Sequence, residues 1–305
     1  MQGKVLKSVG KNYSVQLVGG QILNCTLRGL FRQKGIKSTN PVVVGDQVQI
    51  TQEGDTGIIT KIEPRSNAIV RKSVNLSKQI HVLAANVDQA VLVVTMRAPR
   101  TSLEFIDRFL VSAGAFGVPV TLLVNKLDQI NQKTKLELAE LMEIYESTGY
   151  KVVLCSATTP NNLQEVADVL GKKTSVFVGH SGVGKSTLLN YFSGSTQKVE
   201  KVSDQHDQGQ HTTTFAEMFA LDNGGYLIDT PGIKGLGLVE INKEELSNYF
   251  PEFFQLKADC KYHNCVHINE PGCAIKRGIE AGEIASSRYR SYLRIYSSEE
   301  NQLYR

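Results

Sequence analysis

The sequence predicts three units in series: a small N-terminal β-barrel, a central doubly wound α/β domain on a mostly parallel sheet, and a C-terminal helical segment around a Cys/His cluster. Three observations predict it. Short alternating strands separated by turn dipeptides fill the first sixty or so residues. From about residue 80, short apolar runs alternate with helical patterns, as parallel sheets require. After about residue 240 the chain becomes polar and helical, and three cysteines and a histidine fall within fourteen positions. The expected boundaries are 1–68, 75–238 and 239–305.

In the first unit Tyr13, Val15 and Leu17 alternate with polar residues, as do Val48 and Ile50, and Gly19-Gly20, Asn40-Pro41 and Gly54-Asp55 punctuate the runs. About five strands in so short a stretch suit a small barrel of the oligonucleotide-binding (OB) type; an SH3-like barrel would give a similar pattern. In the second unit the apolar runs 91–94, 120–124, 152–154 and 175–178 fit parallel strands buried on both faces. Between them lie helical patterns such as the stripe Leu136, Leu138, Leu141 and Ile144. The tail carries Lys276, Arg277, Arg288, Arg290 and Arg294, consistent with a closing helix. There is no internal repeat or low-complexity tract.

With 305 residues, 41% hydrophobic and 21% charged, the chain has an ordinary globular composition. Its net charge of +4 conceals an asymmetry. Residues 1–80 hold 12 Lys/Arg against 4 Asp/Glu, or +8, which leaves −4 on the remainder. A basic N-terminal unit suits a polyanionic partner, although a solvated basic face gives the same count. Met1-Gln2-Gly3-Lys4 lacks a signal peptide's apolar core and no apolar run approaches spanning length, so cytoplasmic residence without a membrane partner is expected. Five cysteines exclude a secreted disulfide framework; Cys25 and Cys155 sit in strand-like stretches and are expected in the core.

The motifs that carry chemistry come in an unusual order. Asn125-Lys126-Leu127-Asp128 is first, followed by Ser156-Ala157, then Gly179-His180-Ser181-Gly182-Val183-Gly184-Lys185-Ser186-Thr187, then Asp229-Thr230-Pro231-Gly232. The third segment fits G-x-x-x-x-G-K-[ST] between a strand and a helix, where backbone N–H groups cradle phosphates. Lys185 would reach the β- and γ-phosphates, and Ser186 would ligate Mg²⁺. The Asp128 carboxylate can accept two hydrogen bonds from guanine, whereas adenine would leave it unpaired. Asn125 would tie this segment to the phosphate loop, Lys126 would lie along the base, and Ser156-Ala157 would form a second base-side turn. Asp229 would hold the metal through water, and the Gly232 N–H would meet the γ-phosphate. These are the parts of a GTP/GDP site, but the base reader precedes the phosphate loop. The domain therefore reads as a circularly permuted P-loop GTPase.

The next position, where Ras-like GTPases orient water with glutamine, is the aliphatic Ile233. Intrinsic hydrolysis should then be slow or use another residue. Between the phosphate loop and Asp229 lies Gly209-Gln210-His211-Thr212-Thr213-Thr214. One threonine, assigned to Thr213, would complete the Mg²⁺ shell; His211 could position or deprotonate the attacking water, or be a solvent-facing loop histidine. Downstream, Cys260-x4-Cys265-x-His267-x5-Cys273 supplies three thiolates and an imidazole, the complement of one closed structural Zn²⁺ site, with His263 as a competing donor.

In this permuted order of motifs, in Tyr249-Phe250-Pro251-Glu252-Phe253 and in the Cys/Cys/His/Cys knuckle, the chain resembles the RsgA/YjeQ family of small-ribosomal-subunit-dependent GTPases along essentially its whole length. The resemblance implies an OB barrel, a permuted GTPase domain and a zinc domain in a cytoplasmic monomer. It implies binding to the small ribosomal subunit and its rRNA late in assembly, alongside other assembly factors, with slow GTP hydrolysis that the subunit stimulates. It also implies that His211 is catalytic and that Cys260, Cys265, His267 and Cys273 hold the zinc. Two other readings remain open: a permuted GTPase acting on the large subunit, and an RNA-binding module whose nucleotide site only stabilises the fold.

Overall fold

The computed structural model describes residues 1–28, 41–72, 80–159, 162–194, 216–229 and 241–298. The N-terminal alternation becomes five strands: β1 (Gln2–Val9), β2 (Asn12–Leu17), β3 (Ile22–Leu27), β4 (Gln47–Glu53) and β5 (Thr56–Ile62). They pair in the order β1-β2-β3-β5-β4, and β4 returns to β1, so the sheet closes into the expected OB-type barrel. Only β3 and β5 run parallel. Period-2 patterning sends Val5, Tyr13, Val15, Cys25, Val48, Ile50 and Ile59 inward.

A hairpin of β6 (Ala68–Lys72) and β7 (Ile80–Ala85) leads into the central sheet. That sheet contains β8 (Gln89–Thr95), β9 (Val120–Asn125), β10 (Lys151–Leu154), β11 (Thr174–Val178), β12 (Glu217–Ala220) and β13 (Tyr226–Asp229). The spatial order is β10-β9-β8-β11-β13-β12, parallel except for β12. Among the described residues, α1 (Leu103–Ala115), α2 (Gln132–Glu146), α3 (Leu163–Leu170) and α4 (Lys185–Ser193) cover it. Strand β8 is buried throughout and serves both layers. Its Leu92 and Val94 pack in one cluster with Ile106, Phe109 and Leu141. Its Val91 and Val93 pack in the other with Val166, Leu170 and Leu188. A strand buried on both faces has no polar side to show, hence the unbroken apolar run. One residue of the helical stripe departs from the expectation. Leu138, Leu141 and Ile144 are buried, but Leu136 is 71% exposed, because two residues before Leu138 is about 200° around a helix.

The barrel and the central sheet are continuous. β1 pairs with β12 at Lys7↔Glu217, and the Lys7 Nζ–Glu217 Oε1 ion pair spans 2.8 Å at the same rung. The C-terminal lobe comprises α5 (Pro251–Leu256), α6 (Ala274–Glu280) and α7 (Ser286–Ser297). They enclose Phe250, Phe253, Ile275, Tyr292 and Ile295, and α1 contributes Val111 to the same core. Arg288 of α7, part of the expected closing helix, is fully buried. It donates to Asp107 of α1 at 2.6 Å and to both carboxylate oxygens of Glu252 at 2.7 and 3.1 Å, while Tyr145 Oη–H donates to Asp107 at 2.8 Å. Burial pushes the Asp107 carboxyl up and Arg288 pulls it back. Among the described residues no helix is long and apolar enough to cross a membrane.

Candidate functional site

In the parallel sheet, the connection from β8 runs outward to β9 and β10, whereas β11 and β13 lie on the other side of β8. The crevice at the carboxyl ends of β8 and β11 is thus a topological switch point, where open α/β sheets bind ligands. The phosphate-loop sequence leaves β11 there. The Asn125–Asp128 segment leaves β9, and Ser156-Ala157 follows β10. Chain order is permuted, yet the motifs converge because adjacency in a sheet does not depend on where the chain begins.

Asn125 stitches the three loops together. Its Nδ2–H donates to the Val183 carbonyl at 2.8 Å, and its Oδ1 accepts from the Ala157 N–H at 3.1 Å and the Cys155 thiol at 3.5 Å. Asn125 is 2% exposed, so these bonds form away from water. The approach is close enough to demand glycine at 184: a Cβ there would lie 2.3 Å from Asn125 Nδ2, and φ is +98°. Lys126 takes a left-handed conformation with φ +65°, and its Nζ donates to the Ala98 carbonyl at 2.6 Å. Burial lowers the Lys126 pKa, opposed by the Asp128 charge. Leu127 and Asp128 form a short 3-10 turn, anchored by the Leu127 N–H donating to the Cys155 carbonyl at 3.2 Å. Asp128 stays exposed and accepts a short hydrogen bond from the Ser156 hydroxyl. Ser156 in turn accepts from Thr159 Oγ1–H at 2.9 Å, which orients its own proton towards Asp128. The carboxylate's free acceptor capacity faces outward, as a base reader needs.

In the phosphate loop, Gly179 has φ +149° and a Cβ there would stand 2.3 Å from the Val93 carbonyl oxygen, so the loop lies directly on β8. Ser181, Gly182, Gly184, Ser186 and Thr187 lie on the loop and first turn of α4. Val183 packs into the core with 0% exposure. Lys185 Nζ donates to the carbonyls of Gly179 and His180 at 2.8 and 2.7 Å. Burial lowers its pKa while Asp229 raises it. Register explains the latter: Asp229 of β13 pairs with Phe177 of β11, one residue before the strand's end. His180 lies against Phe105 of α1, with ring centroids 3.7 Å apart and planes tilted by 34°. Burial, then the Lys185 charge, lower the His180 pKa. The sequence carries no signal for the Phe105 contact, since it joins residues 75 positions apart. His211, Thr213, Gly232 and Ile233 lie outside the described residues.

The second cluster is in the C-terminal lobe. One donor atom each from Cys260, Cys265, His267 and Cys273 lies within 4.8 Å of the others. His267 Nδ1 is 3.6 Å from Cys260 Sγ and 3.5 Å from Cys273 Sγ. A tetrahedral Zn²⁺ with bonds of about 2.3 Å to sulfur and 2.05 Å to nitrogen has an S–N edge of about 3.6 Å. The set therefore fits a closed zinc site. Burial, with the neighbouring Cys273 and Cys260 adding to it, pushes the Cys265 thiol up to about 12; a bound divalent cation would reverse this by favouring the thiolate. His267 holds φ +61°, and Glu270 stabilises the turn by accepting from the N–H groups of Val266, Ile268 and Asn269 at 3.0, 2.9 and 3.0 Å. Burial raises the Glu270 pKa, but backbone N–H donors outweigh it and hold the carboxyl low. The Ala274 N–H donates to Cys260 Sγ at 3.3 Å, and the Tyr289 and Tyr292 hydroxyls donate to the carbonyls of His267 and Val266, both at 2.8 Å. Such outer contacts fix ligand orientation. His263, the competing donor, is not part of the cluster.

Comparisons with known proteins agree with this architecture. The RsgA GTPase family model matches residues 62–239, and that of the RsgA N-terminal domain matches residues 2–59. The small ribosomal subunit biogenesis GTPase RsgA of Christiangramia forsetii is 51% identical over 306 residues, covering 99% of this chain and 97% of its own length. A second relative of the same description, from Bacteroides fragilis, is 48% identical over 308 residues, covering 100% and 99%. The crystal structure of YjeQ from Thermotoga maritima superposes with a TM-score of 0.80 at 34% identity, over 100% of this chain and 99% of that one. That of YloQ, described as a circularly permuted GTPase, gives 0.77 at 31%, over 100% and 96%. With a barrel, a permuted nucleotide domain and a Cys3His lobe in the same order, the chain belongs to the RsgA/YjeQ family of circularly permuted GTPases.

Proposed function

We propose that the chain is a nucleotide-controlled switch in late maturation of the small ribosomal subunit, hydrolysing GTP slowly until the subunit stimulates it. Family membership makes it a GTP hydrolase with a role in small-subunit biogenesis. The observation that carries the reading is the Asn125 stitch, which holds the base-reading and phosphate loops in one rigid crevice. In it Asp128 reads guanine, Lys126 lies along the base, and Lys185 with the loop's N–H groups neutralises the phosphates. Ser186 and Asp229 offer the hydroxyl and carboxylate oxygens that suit Mg²⁺, with Thr213 completing its shell; when bound, the metal spreads the charge developing on the β- and γ-oxygens. His211 orients the attacking water, a task Ile233 cannot perform, and Gly232 senses the γ-phosphate.

The units at 1–68, 75–238 and 239–305 divide the work. The basic barrel contacts rRNA, and a structural Zn²⁺ on Cys260, Cys265, His267 and Cys273 shapes the C-terminal lobe. The protein acts as a cytoplasmic monomer on the small subunit, alongside other assembly factors. The test is GTP turnover with no ribosomal particles, with small subunits and with large subunits, for the wild type and His211→Ala. Stimulation by small subunits alone, lost in the variant while GTP and subunit binding persist, is expected. Stimulation by large subunits would redirect the assignment, and turnover unaffected by either would favour an RNA-binding module. Equal stimulation of the variant would remove His211 from catalysis.

A further inference from the structure

Helix α1 packs on the central sheet through Ile106, Phe109 and Leu110, and another of its faces serves the C-terminal lobe. Glu104, Asp107, Val111 and Gly114 recur at helical spacing. Glu104 accepts from Arg294 of α7 at 2.5 Å, and Asp107 accepts from Arg288 at 2.6 Å. Val111 sits in the lobe's core, and Gly114 lies against the Tyr249 ring, which an added Cβ would meet at 3.5 Å. That face binds the lobe. Phe105 projects about 140° away from its centre, at 100° per residue, and there it meets His180 of the phosphate loop at 3.7 Å. The Ser102 cap, accepting from the Phe105 N–H at 3.2 Å, fixes the start of the helix at that contact.

We propose that Phe105 is a positioning residue for the phosphate loop, and that the C-terminal lobe sets its position through the buried Asp107–Arg288–Glu252 node. The His180 ring joins Phe105 to the stretch of backbone whose carbonyls, at Gly179 and His180, receive the Lys185 ammonium. Translation of α1 by the lobe therefore changes where Lys185 rests and how the loop meets a phosphate. The bidentate Arg288–Glu252 pair fixes the guanidinium within the lobe, and its remaining contact, to Asp107 at 2.6 Å, ties α1 to that fixed point, which makes α1 a strut between lobe and loop. By linkage, any ligand that loads the lobe alters nucleotide affinity by the factor with which nucleotide alters that ligand's affinity.

This inference rests on the phosphate-binding reading of the loop, and a double-mutant cycle on GTP affinity tests it separately. Lys185→Ala checks the reading itself: if it binds GTP like the wild type, the loop is not a phosphate site and the strut has nothing to position. Given that control, Phe105→Ala should weaken GTP binding on the order of 5-fold, the scale of one aromatic contact, and Phe105→Tyr should restore it. Asp107→Asn keeps the side-chain shape and leaves Arg288 paired with Glu252. It should weaken GTP binding about 3-fold in the wild type and have no effect in the Phe105→Ala background, the non-additivity expected of coupled residues. Equal effects of Asp107→Asn in both backgrounds would reduce it to general destabilisation and overturn the strut. So would unchanged GTP affinity in Phe105→Ala.

Discussion

Removal of the Asn125 side chain isolates the stitch between base and phosphate loops. Asn125→Ala deletes the donor to the Val183 carbonyl and the acceptor for the Ala157 N–H, formed at 2.8 and 3.1 Å. The Cys155 thiol, a weak donor, loses little, and the two stronger groups left without a partner fare differently. Val183 is 0% exposed, so its carbonyl has no access to water in an unrelaxed loop; a buried unpaired acceptor costs about 1–3 kcal/mol. Ala157 is half-buried, and its N–H can exchange the lost bond for one to solvent. The net penalty is about 2 kcal/mol, and if it falls on the binding-competent loop geometry it lowers nucleotide affinity about 30-fold. Because Asn125 spans loops without touching the base's discriminating edge, GTP, GDP and xanthine nucleotides should all weaken by the same factor. Titration with fluorescent analogues of each measures this. Affinity within about twofold of wild type, or a loss confined to guanine nucleotides, would refute the assignment of Asn125 as a scaffold.

Asp128→Asn should do the opposite, trading GTP affinity for xanthine nucleotides, because the amide donates where guanine needs an acceptor; undiminished GTP binding would remove Asp128 from the base site. Cys265→Ser should lose the metal and expose the C-terminal lobe to proteolysis, against about one zinc per wild-type chain by metal analysis; a full zinc complement in the variant would mean a different ligand set. Arg288→Ala leaves Asp107 and Glu252 buried without their cation, which costs about 3–5 kcal/mol and lowers the melting midpoint on the order of 10 °C. A shift of a degree or two would show that the node is easily relaxed.

Local patterns in the sequence were enough to identify each unit, and contacts between units were not. The barrel and the parallel strands were legible because periodicity records burial: Tyr13 and Val15 alternate inward, and 91–94 has no polar member because both faces of β8 are covered. The clustering of Cys260, Cys265, His267 and Cys273 was legible because metal chemistry restricts residue type at short spacing. Leu136 was misplaced because an apolar residue also occurs singly on exposed surfaces. Arg288 was read as one charge among five in the tail, and nothing in its neighbourhood announces that Asp107, 181 positions earlier, waits for it. The Phe105–His180 contact and the β1–β12 pairing are equally silent, because each joins segments whose own patterns are already complete.

The permutation leaves the sheet's neighbours unchanged but relocates the ends of the nucleotide domain, and this decides what its switch can move. Strands β8 and β13, the first and last of the central sheet in chain order, lie on either side of the phosphate-loop strand β11. Since the three are parallel, β8 begins at the end of the sheet away from the nucleotide crevice and β13 finishes at the crevice itself, on Asp229. Asp229 is thus the last described residue before the C-terminal lobe, and the lobe packs on α1, which follows the crevice end of β8. The barrel reaches the same place by register. Lys7 pairs with Glu217, Glu217 with Asp229, and Asp229 with Phe177, a single row from barrel to phosphate-loop strand. The barrel is thus joined to the Asp229 strand across one intervening strand, and the lobe follows that strand in sequence. A domain begun at β11 would instead have run on from β13 into β8, and the segment after Asp229 would have been an internal connection with no lobe to carry.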